Sequence, residues 1–153
     1  MYPGDAAYNA AVYGKIAFHS ENCIDPVVKQ YFLGNDIHFI PVKQGYSKCN
    51  TCFLSETSLI TSDHSIQKEA EKWGIQVLKI QNSPKIELKE FAYGFIGGAT
   101  GRLSSDELIV CGDIKIHPDY QAIHSFCYKN RVKITSAYRG SIIDIGSILE
   151  FED

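Results

Sequence analysis

An α/β fold assembled from repeated ββαβ units is predicted by three observations on this chain. Pairs of short apolar stretches joined by a polar turn occur three times, each pair leads into a capped helical stretch, and each helix is followed by one more apolar strand. The helix starts recur as Asp25-Pro26, Asp63-His64 and Pro118-Asp119, and the closing strands as residues 37–42, 75–80 and 132–137. A unit of this kind cannot bury its apolar face alone, so repetition implies copies packed side by side.

In the first unit, residues 10–18 read as two short strands with Gly14-Lys15 at the turn. Asp25 offers a cap oxygen to the orphan amides of the helix that follows, Pro26 has no N–H to leave unsatisfied, and Gly34 suits the left-handed position after the last turn. Val27, Val28, Tyr31 and Phe32 form the expected apolar face. Pro41, which cannot donate to a ladder, marks the closing strand as an edge or a strand end.

The second unit starts at Gly45 and takes residues 49–54 as a strand, residues 55–58 as a polar turn and residues 59–61 as a second strand. Ser62 or Asp63 caps its helix, Ile66, Ala70 and Trp73 fall at helical spacing, and Gly74 ends it. Residues 75–80 alternate apolar and polar, the pattern of a strand with one buried face. An inserted connector, 81–90, carries a short strand-like piece at 85–88.

The third unit opens with a glycine-rich turn (Gly94, Gly97, Gly98, Gly101), crosses a polar tip at Ser104-Ser105-Asp106 and runs through a strand at 107–111. Asp119 or His117 caps its helix, with Tyr120, Ile123, Phe126 and Cys127 facing inward and Asn130 closing it. The units are expected over about 4–43, 45–81 and 93–137. Residues 141–151 are apolar enough to add one more strand or hairpin, and 1–153 is expected to be a single domain.

Composition excludes several classes of function. At 153 residues, 44% hydrophobic and 22% charged, the chain is expected to fold around a sizeable core. A net charge of -3 and the lack of any run of Lys and Arg provide no field to attract a phosphate backbone, so no nucleic-acid partner is expected. No apolar run approaches the roughly 20 residues that span a bilayer, so no membrane partner is expected and a cytoplasmic location follows. The five cysteines are read as free thiols.

Three stretches could carry chemistry. Cys49 and Cys52 form a CxxC without a second pair nearby, which favours buried structural thiols over a metal or redox site. Cys111, His117 and Asp119 lie close enough in sequence to form a Cys–His–Asp set; alternatively, Gly112 makes a turn while His117 and Asp119 cap the helix. The turn Gly97-Gly98-Ala99-Thr100-Gly101-Arg102 either cradles an anion with its amides and the Arg102 fork, or marks a tight strand crossing. No metal and no cofactor are expected.

With these residues in view, the ββαβ repeat with a GG turn resembles the pentein, or guanidino-group-modifying, superfamily. More narrowly, GFIGGATGR, ELIVCGDIKIHPD and SAYRGSIIDIGSI look like an uncharacterised bacterial family of pentein-type domains. The resemblance implies a fan or partial propeller of units around an axis, with a small-molecule cleft there. Pentein enzymes place a nucleophilic Cys near the chain end, a His in an earlier unit and carboxylates on the guanidinium. Here Cys127 falls in a helix and GGATGR puts small and basic residues where a carboxylate is expected. The expected function is therefore binding of a small polar or anionic ligand at the axis by Asn50, Gly97, Gly98, Arg102, Asp113 and Arg139. A guanidino hydrolase or transferase using Cys111 or Cys49 with His117 and Asp119 is the alternative. A third reading is a structural fragment, because three units leave an open edge for a homo-oligomer or second chain to cap.

Overall fold

A computed structural model describes residues 2–149 of the chain. Three ββαβ units follow one another. The first holds β1 (Ala11–Tyr13), β2 (Ile16–Ser20), α1 (Pro26–Gly34) and β3 (His38–Val42). The second opens with a one-turn helix, α2 (Ser47–Asn50), and continues through β4 (Thr51–Ser55), β5 (Ser58–Thr61), α3 (His64–Lys72) and β6 (Gln76–Lys79). After β7 (Ile86–Glu87) the third unit holds β8 (Thr100–Ser104), β9 (Glu107–Val110), α4 (Tyr120–Lys129) and β10 (Lys133–Ser136), and β11 (Ile142–Ile143) follows.

Each unit makes its own three-stranded sheet with the hairpin's second strand in the middle. The hairpin pairs antiparallel and the strand after the helix returns parallel, as a β–α–β crossover requires. The hairpins of the second and third units even share an irregularity, a register shift at Phe53/Ser55 in one and Arg102/Ser104 in the other. The first strands meet: β4 lies against β1 on one side and β8 on the other, so the units fan out from these three strands. β7 and β11 add a small parallel sheet, which gives the inserted connector and the tail a common role.

Two apolar clusters fill the spaces between units, and β4 feeds both. Phe53 joins Phe18, Ile40, Leu59 and Ile66 on one face, while Cys52 and Leu54 join Leu108, Val110, Ile123 and Ile142 on the other. Alternation along a strand buried on both faces produces this split.

Most local expectations match the elements. Asp63 caps α3 by accepting from the amides of Ser65 and Ile66, Asp25 accepts from Val27 N, and Gly74 takes a positive φ of 74° after α3. Four details differ. Gly34 ends α1 inside the helix, and Asp36 takes the left-handed turn instead. Of the expected α1 face only Phe32 is buried, against Phe39; Val27 and Tyr31 point to solvent. Trp73, beyond the last turn of α3, is exposed and leans on His38. The strand expected from residue 49 begins at Thr51, because Asn9 holds the turn before it: Lys48 N donates to Asn9 O and Cys49 N to Asn9 Oδ1. Residues 150 and 151 of the expected tail strand lie outside the described residues.

Candidate functional site

The glycine-rich turn meets the second unit at the fan's centre. A Cβ on Gly97 would overlap the main-chain oxygens of Thr51 and Lys48, and one on Gly98 would overlap the Asp144 carboxylate. The crossing is tight enough for Gly98 N to donate to Cys49 O at 2.8 Å. On β8, Gly101 lies equally close to the backbone of Ile148 in the tail.

Beside this crossing is a small cavity of about 150 Å³. The first strands of all three units line it, through Tyr13, Thr51 with Cys52, and Thr100 with Arg102, and Lys48 and Ile148 complete it. Its two cations are held only by main-chain oxygens. Arg102 Nη1 donates to Leu54 O and its Nε to Ser104 O at 2.9 Å, while Lys48 Nζ approaches Gly97 O at 3.5 Å. Neither has a carboxylate at ion-pair distance among the described residues. Thr51 Oγ1 is buried with no hydrogen-bond partner among the described residues. Burial holds the Lys48 amine below its ordinary range, partly opposed by Cys52, Cys49 and Asp144. Burial also pushes the Cys52 thiol up.

Across the Lys48–Cys49 turn lies a second, larger groove of about 750 Å³, walled by Tyr46, Phe91, Tyr93, Phe95 and Ile145. Asp144 and Cys49 sit at its base. Asp144 is 7% exposed, its Oδ2 accepting from Phe95 N at 2.8 Å and its Oδ1 from Gly146 N at 2.9 Å. Cys49 Sγ accepts from Asn9 Nδ2 at 3.2 Å, and burial raises its pKa despite that bond.

A family model described as "Family of unknown function (DUF6873)" matches residues 1–149. The chain belongs to that family. No curated protein matches it. Among solved structures it is similar to the C. jejuni agmatine deiminase, with a TM-score of 0.55 and 12% identity over 84% of this chain. The match covers 48% of the deiminase, so this family member spans about half of that structure's length. The likeness shows the pentein-like α/β fold, and at this identity the fold alone.

Within that fold the sequence-selected residues scatter. Arg102 lines the central cavity, whereas Gly97 and Gly98 do not and pack instead at the crossing beside it, against the Lys48 and Thr51 backbone and Asp144. Asn50 is buried beside them, but its Oδ1 is spent on Thr61 Oγ1 and on the Ser62 amide and hydroxyl, tying the end of β5. Asp113 accepts from Lys115 N at 3.0 Å and starts a 3-10 turn, and Arg139 is exposed in the loop after β10.

Cys111, His117 and Asp119 are engaged separately. His117 Nδ1 accepts from Asp119 N at 3.0 Å, so the proton of the neutral ring is on Nε2, which is buried without a partner. Burial lowers the pKa of His117 against the opposing charge of Asp119. The Asp119 carboxylate accepts instead from Gln81, N at 2.8 Å and Nε2 at 3.1 Å, fastening the connector to α4. Half-buried Cys111 neighbours Tyr138, whose pKa is raised first by burial and then by that thiol. No hydrogen bond joins Cys111 to His117 among the described residues.

Sequence reading missed Lys48, Thr51 and Asp144. Asp144 carried a signal: it is the one acid in the apolar run Ile142–Ile143–Asp144–Ile145, a position that demands partners if buried. Lys48 and Thr51 carried none. Among the described residues no three His, Cys, Asp or Glu side chains are grouped to hold a metal, and no helix is long and apolar enough to cross a membrane.

Proposed function

We propose that this pentein-like chain binds a small anion, a carboxylate or phosphate group, in the cavity at the centre of its fan. The observation that carries the reading is the pairing of two cations with no carboxylate at ion-pair distance among the described residues, Lys48 and Arg102, with the Thr51 hydroxyl, which has no partner among them, around one small space. A buried hydroxyl without a partner is costly, and a half-buried amine held by one long contact is under-coordinated. An anion satisfies all three groups, with Arg102 supplying charge-assisted hydrogen bonds. Residues lining the cavity come from each unit, so the site depends on the fan.

Isothermal titration with inorganic phosphate and acetate tests this. Binding that is lost in Lys48→Met and weakened several-fold in Thr51→Val supports the reading. Because burial lowers the Lys48 pKa, affinity should fall as pH rises, and earlier than the roughly 10.4 of a free lysine. Absence of binding, or binding indifferent to both substitutions, overturns it.

The likeness to an agmatine deiminase favours a second reading, a guanidino-directed enzyme with a thiol nucleophile. Cys49 at the base of the groove and Cys111 are its candidates. Ammonia release from agmatine or arginine, abolished by Cys49→Ser or Cys111→Ser, would establish it.

A further inference from the structure

The large groove on the far side of the Lys48–Cys49 turn has a different chemistry from the central cavity. Its walls are aromatic and apolar, and Phe91 and Ile145 stand 69% and 57% exposed at its rim. Exposed large apolar groups scattered singly need no explanation, whereas a concave cluster of them marks a binding surface. Tyr93 and Phe95 meet edge to face with centroids 6.0 Å apart, fixing two of the walls relative to each other. At the base is a carboxylate. Two backbone amides donate to Asp144, one to each oxygen, and leave lone pairs on both oxygens. No Lys or Arg reaches ion-pair distance of it among the described residues, and the nearby Lys48 amine is turned to Gly97 O.

We infer that this groove is a binding site for an organic cation, an amine carrying an aromatic or alkyl body. The ammonium would approach the Asp144 carboxylate, with the Tyr46 and Tyr93 rings offering their electron-rich faces to the same charge, while the body covers Phe91 and Ile145. The charge of the site selects the ligand: an anion of the same shape meets a buried carboxylate, and a neutral isostere leaves that carboxylate without a counter-charge. The site shares no wall residue with the central cavity, so substitutions in its walls leave the walls of the anion site in place.

The test is titration of the whole chain with benzylamine, benzyl alcohol and benzoate, followed by tyrosine fluorescence and calorimetry. Benzylamine is expected to bind, benzyl alcohol about tenfold more weakly, and benzoate not measurably. Phe91→Ala, at a solvent-exposed position that leaves folding intact, should weaken benzylamine several-fold at unchanged melting temperature. Asp144→Asn should erase the preference for the amine over the alcohol. Equal affinity for amine and alcohol, binding of benzoate, indifference to Phe91→Ala, or no binding of benzylamine at millimolar concentration would each overturn the inference.

Discussion

The two ends of the third unit's hairpin make an instructive pair. At its start, Gly97 to Arg102 presses on backbone from the second unit and the tail, and its polar groups answer to segments far away in sequence. At its end, Cys111 to Asp119 serves mainly the entrance to α4: His117 caps the amide two residues on, and Asp113 does the same for its own turn. Both stretches hold residues capable of chemistry. What separates them is whether neighbouring chain leaves those residues with unmet demand. At the start, Arg102 and the facing Lys48 of the second unit have only main-chain partners among the described residues and share a cavity with the unpartnered Thr51 hydroxyl; at the end, apart from the sealed Nε2 of His117, the oxygens of Asp113 and Asp119 and Nδ1 of His117 serve capping and Gln81.

The largest effect expected from breaking this contrast is at Gly97. A methyl group there must displace main chain rather than a flexible side chain, so Gly97→Ala should cost about 3 kcal/mol or more in chemical denaturation, where overpacked positions fall. A loss under about 1 kcal/mol would mean that the crossing is looser than it looks. Next comes Asp144→Ala, which strips the acceptor from the amides of Phe95 and Gly146 and should cost about 2 kcal/mol. Lys48→Met should run the other way. Removing a half-buried charge that has no carboxylate at ion-pair distance among the described residues is expected to leave stability equal or slightly higher while abolishing phosphate binding, a split that distinguishes a ligand contact from a structural one.

Much of the fold was legible because each unit repeats local rules. Asp25-Pro26 and Asp63 announce helix starts through their own oxygens, and the hairpins and returning strands follow from period-two patterning. The centre was half legible. Consecutive glycines signal close approach, but which backbone approaches depends on Asn9, 40 residues away from the Cys49 it holds. Lys48 and Thr51 read as an unremarkable surface lysine and strand threonine until β1, β4 and β8 converge on them. Asn50 and Asp113 show the opposite failure: polar residues near turns look available, yet the turns themselves use their oxygens.

A smaller effect concerns pH. Burial lowers the pKa of both His19 and His117. An unfolded histidine takes up its proton near pH 6.5, while these two do so only at lower pH when folded. In that window the unfolded chain binds more protons, so stability should decline as pH falls below about 6.5 and level off beneath the folded pKa values. His117→Gln should flatten part of the decline. An unchanged slope would assign it to His19 and to the carboxylates.

The smallest effect is expected at Asp119, and it bears most directly on the contrast between the two ends. Its carboxylate receives two hydrogen bonds from exposed Gln81, so Asp119→Ala should cost only about 1 kcal/mol. If the capping account is right, the alkylation rate of Cys111 near neutral pH should not change in this variant, since nothing links the carboxylate through His117 to the thiol. Mass mapping of timed labelling provides the check, with Cys127, its thiol pushed up to about 12 by burial, as the unreactive internal standard. A severalfold drop in Cys111 labelling on removing Asp119 would mean that the hairpin's far end works as a coupled Cys–His–Asp set. The contrast between the two ends would then be one of degree.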